Sequence, residues 1–378
     1  MIHPDCFQRP WIDEQAAALK IHSNGLELFE RCMVALELVG RLSDGGLDFV
    51  FKGGTSLVLL LQPLRRLSID VDIVTPESLD RLQAVLATAT RAAPFFGVAE
   101  HQTGRDRDAP PTRHFKIPFR SATNLQGQSH VQLDVITAAH VYPATARRRV
   151  EAPFIRLEAE AHVQMPTIEC LLGDKLAAFA PTTIGVLYDP ITRHGKPAEP
   201  QPQRILKQLF DVHHLFAEAV NFAEIEASYL ATFPVQNAYR GGHHTLNGCL
   251  DDTIAAAREI SLLPEAKSAP HTERQNLLRK GYDGLSTHVV GEKFALERHT
   301  KVAAARAALL ATALRHAYSD IVPKEYVLSV PPPAELSLIQ LSPENAAIQT
   351  RLRSTAAEAL YYWSSVEDII ALSRNAAS

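Results

Sequence analysis

Cysteine is scarce. Cys6, Cys32, Cys170 and Cys249 are the four cysteines in 378 residues, and no two form a Cys-x-x-Cys pair. That excludes a disulfide scaffold and a zinc knuckle, and it points to a reducing compartment, the cytoplasm. Long apolar runs are missing too. The longest, Leu-Val-Leu-Leu-Leu at 57–61, is far too short to span a bilayer, so no membrane partner is expected. Residues 1–11 have no basic segment followed by an apolar core, so no secretory signal is read there. A surplus of positive charge is also absent. The net charge is −4 and the pI about 6.5, which gives no global attraction to nucleic acid. Any RNA contact must come from local basic runs such as 113–116 and 147–149. The plain reading of such short runs is a solvated loop or strand end. No internal repeat or low-complexity tract is present.

What remains is a chain that is 46% hydrophobic, ample for one large or two modest cores. Residues 11–42 read as helical, with few breakers. A short strand then runs into a Gly-Gly turn, followed by a short helix and an alternating strand, Leu-Ser-Ile-Asp-Val-Asp-Ile-Val. An amphipathic helix over 78–93 comes next. Two further strands around Ile117 and Leu133 look like a hairpin. The first part, 1–160, therefore reads as a small α+β domain. From 161 to 378 the pattern is helical, interrupted by Pro-rich stretches at 188–203 and 322–336.

Asp70 and Asp72 are two apart on a predicted strand, so they share a face, while Ile69, Val71 and Ile73 turn inward. Two adjacent carboxylates repel unless a cation bridges them. Magnesium takes such oxygen ligands together with substrate phosphates. A third carboxylate, Asp134, lies between Leu133 and Val135 in the same alternation. Three aspartates on neighbouring strands would hold two metal ions, Mg²⁺ or Mn²⁺. The plainer reading of an isolated Asp-x-Asp is the wet face of an edge strand. Gly53, Gly54, Thr55 and Ser56, just upstream, favour the sharper one. Glycines let a phosphate approach the main chain, a helix starting there points free N–H groups at it, and the two hydroxyls add donors.

In the second half, Lys175 sits on an otherwise apolar helical stripe with Ile168, Leu171, Leu172, Leu176 and Phe179. It should point into a cleft or meet an acid; the alternative is a lysine snorkelling from a helix edge. Asp211 lies at the margin of the stripe Ile205, Leu209, Val212, Phe216, and could simply be an i,i+4 surface partner of Lys207. His213 and His214 read as packing residues, one of them partly exposed, and not as metal ligands.

The turn, helix and Asp-x-Asp together resemble the nucleotidyltransferase superfamily that shares the DNA polymerase β palm. Lys-Gly-Gly-Thr-Ser-Leu, Ser-x-Asp-x-Asp-Ile, Gly-Asp-Lys-Leu-Ala-Ala-Phe and Lys-Gln-Leu-Phe-Asp, in that order over about 48–217, look like the AbiEii/AbiGii nucleotidyltransferase toxins, MenT-type enzymes included. The resemblance implies a palm-like domain over 1–160 and a helical domain over 161–378 that contributes Lys175 and Asp211 to the cleft. It implies that Asp70 and Asp72 bind metal, that Lys175 meets the triphosphate, and that Asp211 orients the nucleotide or the lysine. It also implies a toxin of a type IV toxin–antitoxin or abortive phage infection system. Such an enzyme transfers a nucleoside monophosphate from a nucleotide triphosphate to an RNA hydroxyl, in some members a tRNA 3′ end, and a cognate antitoxin would be its partner. The competing expectations are transfer to an antibiotic-like small molecule, and a nucleotide-binding interaction module without transfer.

Overall fold

The computed structural model describes residues 1–101, 112–191, 196–264, 272–316, 327–328, 336 and 338–377. The chain divides into two compact units. One is Met1–Thr167 with Thr287–Lys293; the other is Ile168–Ser286 with Phe294–Ser378.

The first unit begins with α1 (Arg9–Ala18) and α2 (Leu26–Asp44). The single helix expected over 11–42 is thus two. Lys20 takes a positive φ of 57°, and Ser23–Gly25 form a 3₁₀ turn, because Ser, Asn and Gly offer the backbone local turns that compete with a helix. There follow β1 (Val50–Lys52), α3 (Gly53–Leu60), β2 (Asp70–Thr75) and α4 (Leu79–Ala89), the last capped by Ser78. The remaining strands are β3 (Ala99–His101), β4 (Thr112–Arg120), β5 (Gln128–Thr137), β6 (Thr145–Arg149) and β7 (His162–Pro166).

The seven strands form one mixed sheet in the order β3-β4-β5-β2-β1-β7-β6. β4 and β5 are the expected hairpin, from Thr112 opposite Ile136 to Arg120 opposite Gln128. Phe51, Val71, Ile73, Phe115, Ile117, Val131, Leu133 and Val135 supply one buried face, and Phe29, Met33 and Leu36 of α2 join them in the core. Three strands have no counterpart in the sequence reading. β3 is short and exposed, and β7 alternates over only five residues. β6 carries Arg147, Arg148 and Arg149, all exposed; this run is an edge strand, where charge blunts pairing with other chains. Thr287–Lys293 adds a return segment: Leu67 N–H donates to His288 O at 2.7 Å, Val290 N–H donates to Arg65 O at 3.0 Å, and Val290 is buried in this core.

The second unit is helical: α5 (Ile168–Ala178), α6 (Pro202–Glu218), α7 (Phe222–Tyr239), α8 (Leu246–Ser261), α9 (Glu273–Ser286), α10 (Lys301–Arg315), α11 (Ala346–Arg353) and α12 (Ala357–Ala377). After the second Pro-rich stretch the helical pattern is broken between α11 and α12, where Thr355 Oγ1 bonds back to Arg351 O. Most of the Pro-rich stretch 322–336 lies outside the described residues, as do residues 192–195 of the other. All four cysteines are buried and free, and burial pushes the Cys32 thiol up to about 12. Among the described residues no helix is long and apolar enough to cross a membrane.

Candidate active site

The topology puts the predicted carboxylates side by side. β2 and β5 pair in parallel, with Asp72 opposite Asp134 and Asp70 opposite Gln132. Because Val71, Ile73, Leu133 and Val135 fill the core, these four polar side chains share the opposite face. The register extends to both sides. Lys52 of β1 lies opposite Asp72, His114 of β4 opposite Asp134, and His101 of β3 opposite His114. One row of ionisable residues therefore crosses five strands: Lys52, Asp72, Asp134, His114, His101. Neighbouring strands are about 4.8 Å apart, so the Asp72 and Asp134 carboxylates repel directly.

Asp134 is held firmly. Its Oδ1 lies 2.7 Å from His114 Nδ1 and accepts a hydrogen bond from Gln132 Nε2 at 2.9 Å. A carboxylate can only accept, so Nδ1 of His114 carries the proton. Among the described residues both of these bonds arrive on Oδ1, which leaves Oδ2 as the oxygen available to a ligand. The His114 and Asp134 side chains are each about one-fifth exposed, 23% and 22%.

The glycine turn is fitted to this row. Gly53 has φ 78°, a conformation suited to glycine, and a Cβ there would fall on Asp72 Oδ2. A Cβ at Gly54 would lie 2.5 Å from Arg66 Nη2 and 2.8 Å from Ser68 Oγ. The hydroxyls of Thr55 and Ser56 differ from expectation. Both residues are buried; Thr55 Oγ1 donates to Asp70 O at 2.5 Å and Ser56 Oγ to Gly53 O at 2.8 Å. They tie the start of α3 to β2 and the turn, and are not donors held out to a phosphate. A short helix on a glycine turn needs such anchors, because its first N–H groups have no partners of their own.

In the second unit Lys175 and Asp211 meet. Lys175 Nζ lies 3.1 Å from Asp211 Oδ2 and donates to Gln208 Oε1 at 3.2 Å. The side chains are 7% and 1% exposed, so Lys175 does not snorkel and Asp211 is not a surface residue at the margin of α6. His213 and His214 are both half-buried and pack with Phe294, and His214 also packs with Phe210; Arg306 Nη1 donates to His213 O. Among the described residues no three His, Cys, Asp or Glu side chains converge as a ready metal cage; of the three aspartates expected to hold two metal ions, Asp72 and Asp134 are paired across the strands and Asp70 lies in the next row of the same face. Their donor set is nonetheless all carboxylate oxygen, the chemistry that Mg²⁺ or Mn²⁺ prefers.

Sequence reasoning missed His114, Gln132 and Gln208. Alternation along β4 and β5 marks His114 and Gln132 as outward, but only the strand register shows that both reach Asp134.

A mixed sheet with adjacent aspartates beside a Gly-Gly turn, followed by a helical region, is the architecture of a nucleotidyltransferase. The family model described as nucleotidyl transferase AbiEii toxin, type IV TA system, matches residues 38–309, and the chain belongs to that family. It is therefore a nucleotidyltransferase of the type IV toxin class. Among solved structures it is similar to MenT4, a nucleotidyltransferase toxin from Mycobacterium tuberculosis H37Rv, with TM-score 0.52 and 13% identity over 92% of this chain and 99% of that one. Weaker likenesses are to a putative nucleotidyltransferase from H. pylori (TM-score 0.39, 12% identity, 78% of this chain and 96% of that one) and to JHP933 from Helicobacter pylori (0.37, 12%, 78% and 93%). No curated protein matches.

Proposed function

We propose that this toxin transfers a nucleoside monophosphate from a nucleotide triphosphate to a hydroxyl of RNA, with the 3′ end of a tRNA as the acceptor, and that the reaction depends on Mg²⁺ or Mn²⁺. The observation that carries the reading is the parallel register of Asp72 with Asp134, with Asp70 on the same face. Folding like charges together is costly, and a divalent cation removes that cost.

A metal bound by Asp70, Asp72 and Asp134 would neutralise the phosphates and lower the barrier to attack by the hydroxyl. The protein's own residues do the rest. The attacking hydroxyl oxygen forms a bond to the α-phosphorus while the bond from that phosphorus to the bridging oxygen of the pyrophosphate breaks. Oδ2 of Asp134 takes the hydroxyl proton, with His114 and Gln132 holding Oδ1. The turn at Gly53 and Gly54 gives the triphosphate a close approach to the main chain. Lys175, held by Asp211, supplies positive charge to the departing pyrophosphate. A cognate antitoxin is the protein partner that membership of a type IV system implies, and phage defence is the setting in which such a system would act.

The test is incubation of the purified chain with each α-labelled nucleotide triphosphate, Mg²⁺ and total RNA, with and without EDTA, and with an aminoglycoside panel in parallel. Label is expected in small RNA, reduced to background by EDTA and absent with Asp70→Ala or Asp72→Ala. Label in the aminoglycosides alone would replace the RNA reading by the small-molecule one. Nucleotide binding without any transfer would reject both.

A further inference from the structure

Lys175 has one more donor than the helices around it have acceptors. A lysine ammonium carries three N–H bonds and accepts none. Two of them are used: one meets Asp211 Oδ2 at 3.1 Å and the other Gln208 Oε1 at 3.2 Å. Among the described residues nothing takes the third. The Lys175 side chain is 7% exposed, so the ammonium is almost wholly removed from water. A buried donor without an acceptor is costly, and folded chains seldom leave one unless an incoming group supplies it.

Gln208 and Asp211 are three apart on α6, so they share one face of that helix, and Lys175 reaches both from α5. A flexible four-carbon stem can swing about a single contact. The second acceptor stops that swing and so fixes where the third N–H points. The two acceptors differ in charge. A lysine can only donate, so Gln208 turns its amide oxygen to Lys175, and that oxygen is neutral. Lys175 and Asp211 already cancel formally. A carboxylate at 208 would hold the ammonium equally well but leave the group net negative, and that repels a phosphate. Glutamine aims the lysine and adds no charge.

We propose that Gln208 is a positioning residue of the nucleotide site: it aims the third N–H of Lys175 at an oxygen of the triphosphate, and it does so as a neutral acceptor, so that the lysine still attracts that anion. The plain alternative is that Gln208 only satisfies a desolvated ammonium. That role calls for an acceptor on every N–H, and among the described residues the third has none. The proposal rests on the reading that Lys175 meets the triphosphate.

The test is direct binding, so that it does not depend on turnover. Inorganic tripolyphosphate, the stand-in for the nucleotide tail, is titrated into the full chain with Mg²⁺ in a calorimeter, beside a thermal melt. Gln208 is half-buried, and methionine has the same unbranched length, so Gln208→Met should fold. It removes the acceptor without changing the charge, and should weaken binding roughly tenfold, the contribution of one hydrogen bond to a charged group. Gln208→Glu keeps an acceptor for Lys175, so its melting temperature should be no lower than that of the unmodified chain, yet its added charge should weaken binding at least as much. A residue that only satisfies the ammonium would lower the melting temperature in Gln208→Met and leave binding per folded molecule unchanged in both variants. Full binding by either variant, or a destabilised Gln208→Glu, overturns the proposal. No tripolyphosphate binding by the unmodified chain overturns it too. Lys175→Met/Asp211→Leu, which removes both charges of the pair, separates the two ways of failing. Full binding by this double variant shows that Lys175 does not meet the triphosphate, and the underlying reading fails. Binding lost in the double variant but kept in both Gln208 variants leaves that reading standing and rejects the role of Gln208 alone.

Discussion

Lys175 and Asp211 show how a residue's role follows from what its removal leaves behind. Both are buried, so breaking the pair by Asp211→Asn strands an ammonium whose remaining hydrogen bond is to Gln208. Removing one partner of a buried pair typically costs about 3–5 kcal/mol, whereas replacing both by apolar groups is often neutral. At roughly 2–4 °C per kcal/mol for a unit of this size, Asp211→Asn should lower the melting temperature by about 10 °C. The double variant Lys175→Met/Asp211→Leu should recover most of that loss in a thermal melt yet remain inactive in the label-transfer assay. Transfer by the double variant would make the pair a scaffold element only. His114 allows a finer test. His114→Ala releases one of the two donors on Asp134 Oδ1, and kcat should fall roughly 10²-fold, in the range of a general acid–base contribution. His114→Asn places an amide N–H near the position of Nδ1 and should restore most of the rate. The KM for the nucleotide should move little in either variant; equal losses in both would point to general disruption of β4.

At the scale of the element, close approach is what the sequence signals least. The Asp-x-Asp strand, the Gly-Gly turn and the hairpin were legible, because alternation and glycine leave local marks. The edge strand β6 was not, since three arginines hide its alternation, and the break between α1 and α2 was hidden by apolar periodicity on both sides of it. The meeting of Lys175 with Asp211 was legible only as a family pattern; helical spacing alone left Lys207 as an equal partner for the aspartate. Gly173 is another silent feature. It sits two residues before Lys175 on α5, and a Cβ there would come within 2.8 Å of Ile225 O and 2.9 Å of Tyr229 N on α7. Ser228 Oγ donates to Cys170 O at 2.7 Å across the same contact. Gly173→Val must push α5 off α7, and overpacking of this kind costs about 1–3 kcal/mol. A lowered melting temperature is expected, with transfer falling more than the folded fraction does because Lys175 moves with its helix. Gly53→Ala should act differently. The added methyl meets the Asp72 carboxylate and strains a positive φ, so transfer should be lost in a chain whose circular dichroism spectrum is unchanged. An active Gly53→Ala enzyme would show that the Asp72 carboxylate can leave the turn without consequence.

For the whole molecule the informative feature is the path of the chain. Composition and helical pattern suggest a simple succession, an α+β part and then a helical part, yet Thr287–Lys293 returns to the first unit after more than a hundred residues of the second. No sequence pattern announces this, because seven residues carry too little periodicity to read. The return is specific. Val289 bridges Arg66, Leu67 donates to His288 O, Val290 donates to Arg65 O, and Val290 is buried in the sheet's core. The residues it pins, Arg65 to Leu67, lie just ahead of Asp70, and the Arg66 guanidinium borders Gly54. A fragment of residues 1–167 would therefore lose two backbone hydrogen bonds and the burial of one valine. Each hydrogen bond contributes about 0.5–1.5 kcal/mol and a buried valine about 1.5–3 kcal/mol, so the loss is several kcal/mol against a typical domain stability of about 5–15 kcal/mol. That fragment should melt well below a second fragment in which residues 287–293 are joined to Thr167 by a flexible Gly-Ser linker. In hydrogen exchange the Leu67 amide should be protected in the linked form and exchange rapidly in the bare one. Metal titration followed by melting temperature should give a larger upward shift for the linked form, because the segment that leads into Asp70 is then already in place. Equal stability of the two fragments, with a protected Leu67 amide in both, would show that the return segment only rests on a unit that is complete without it.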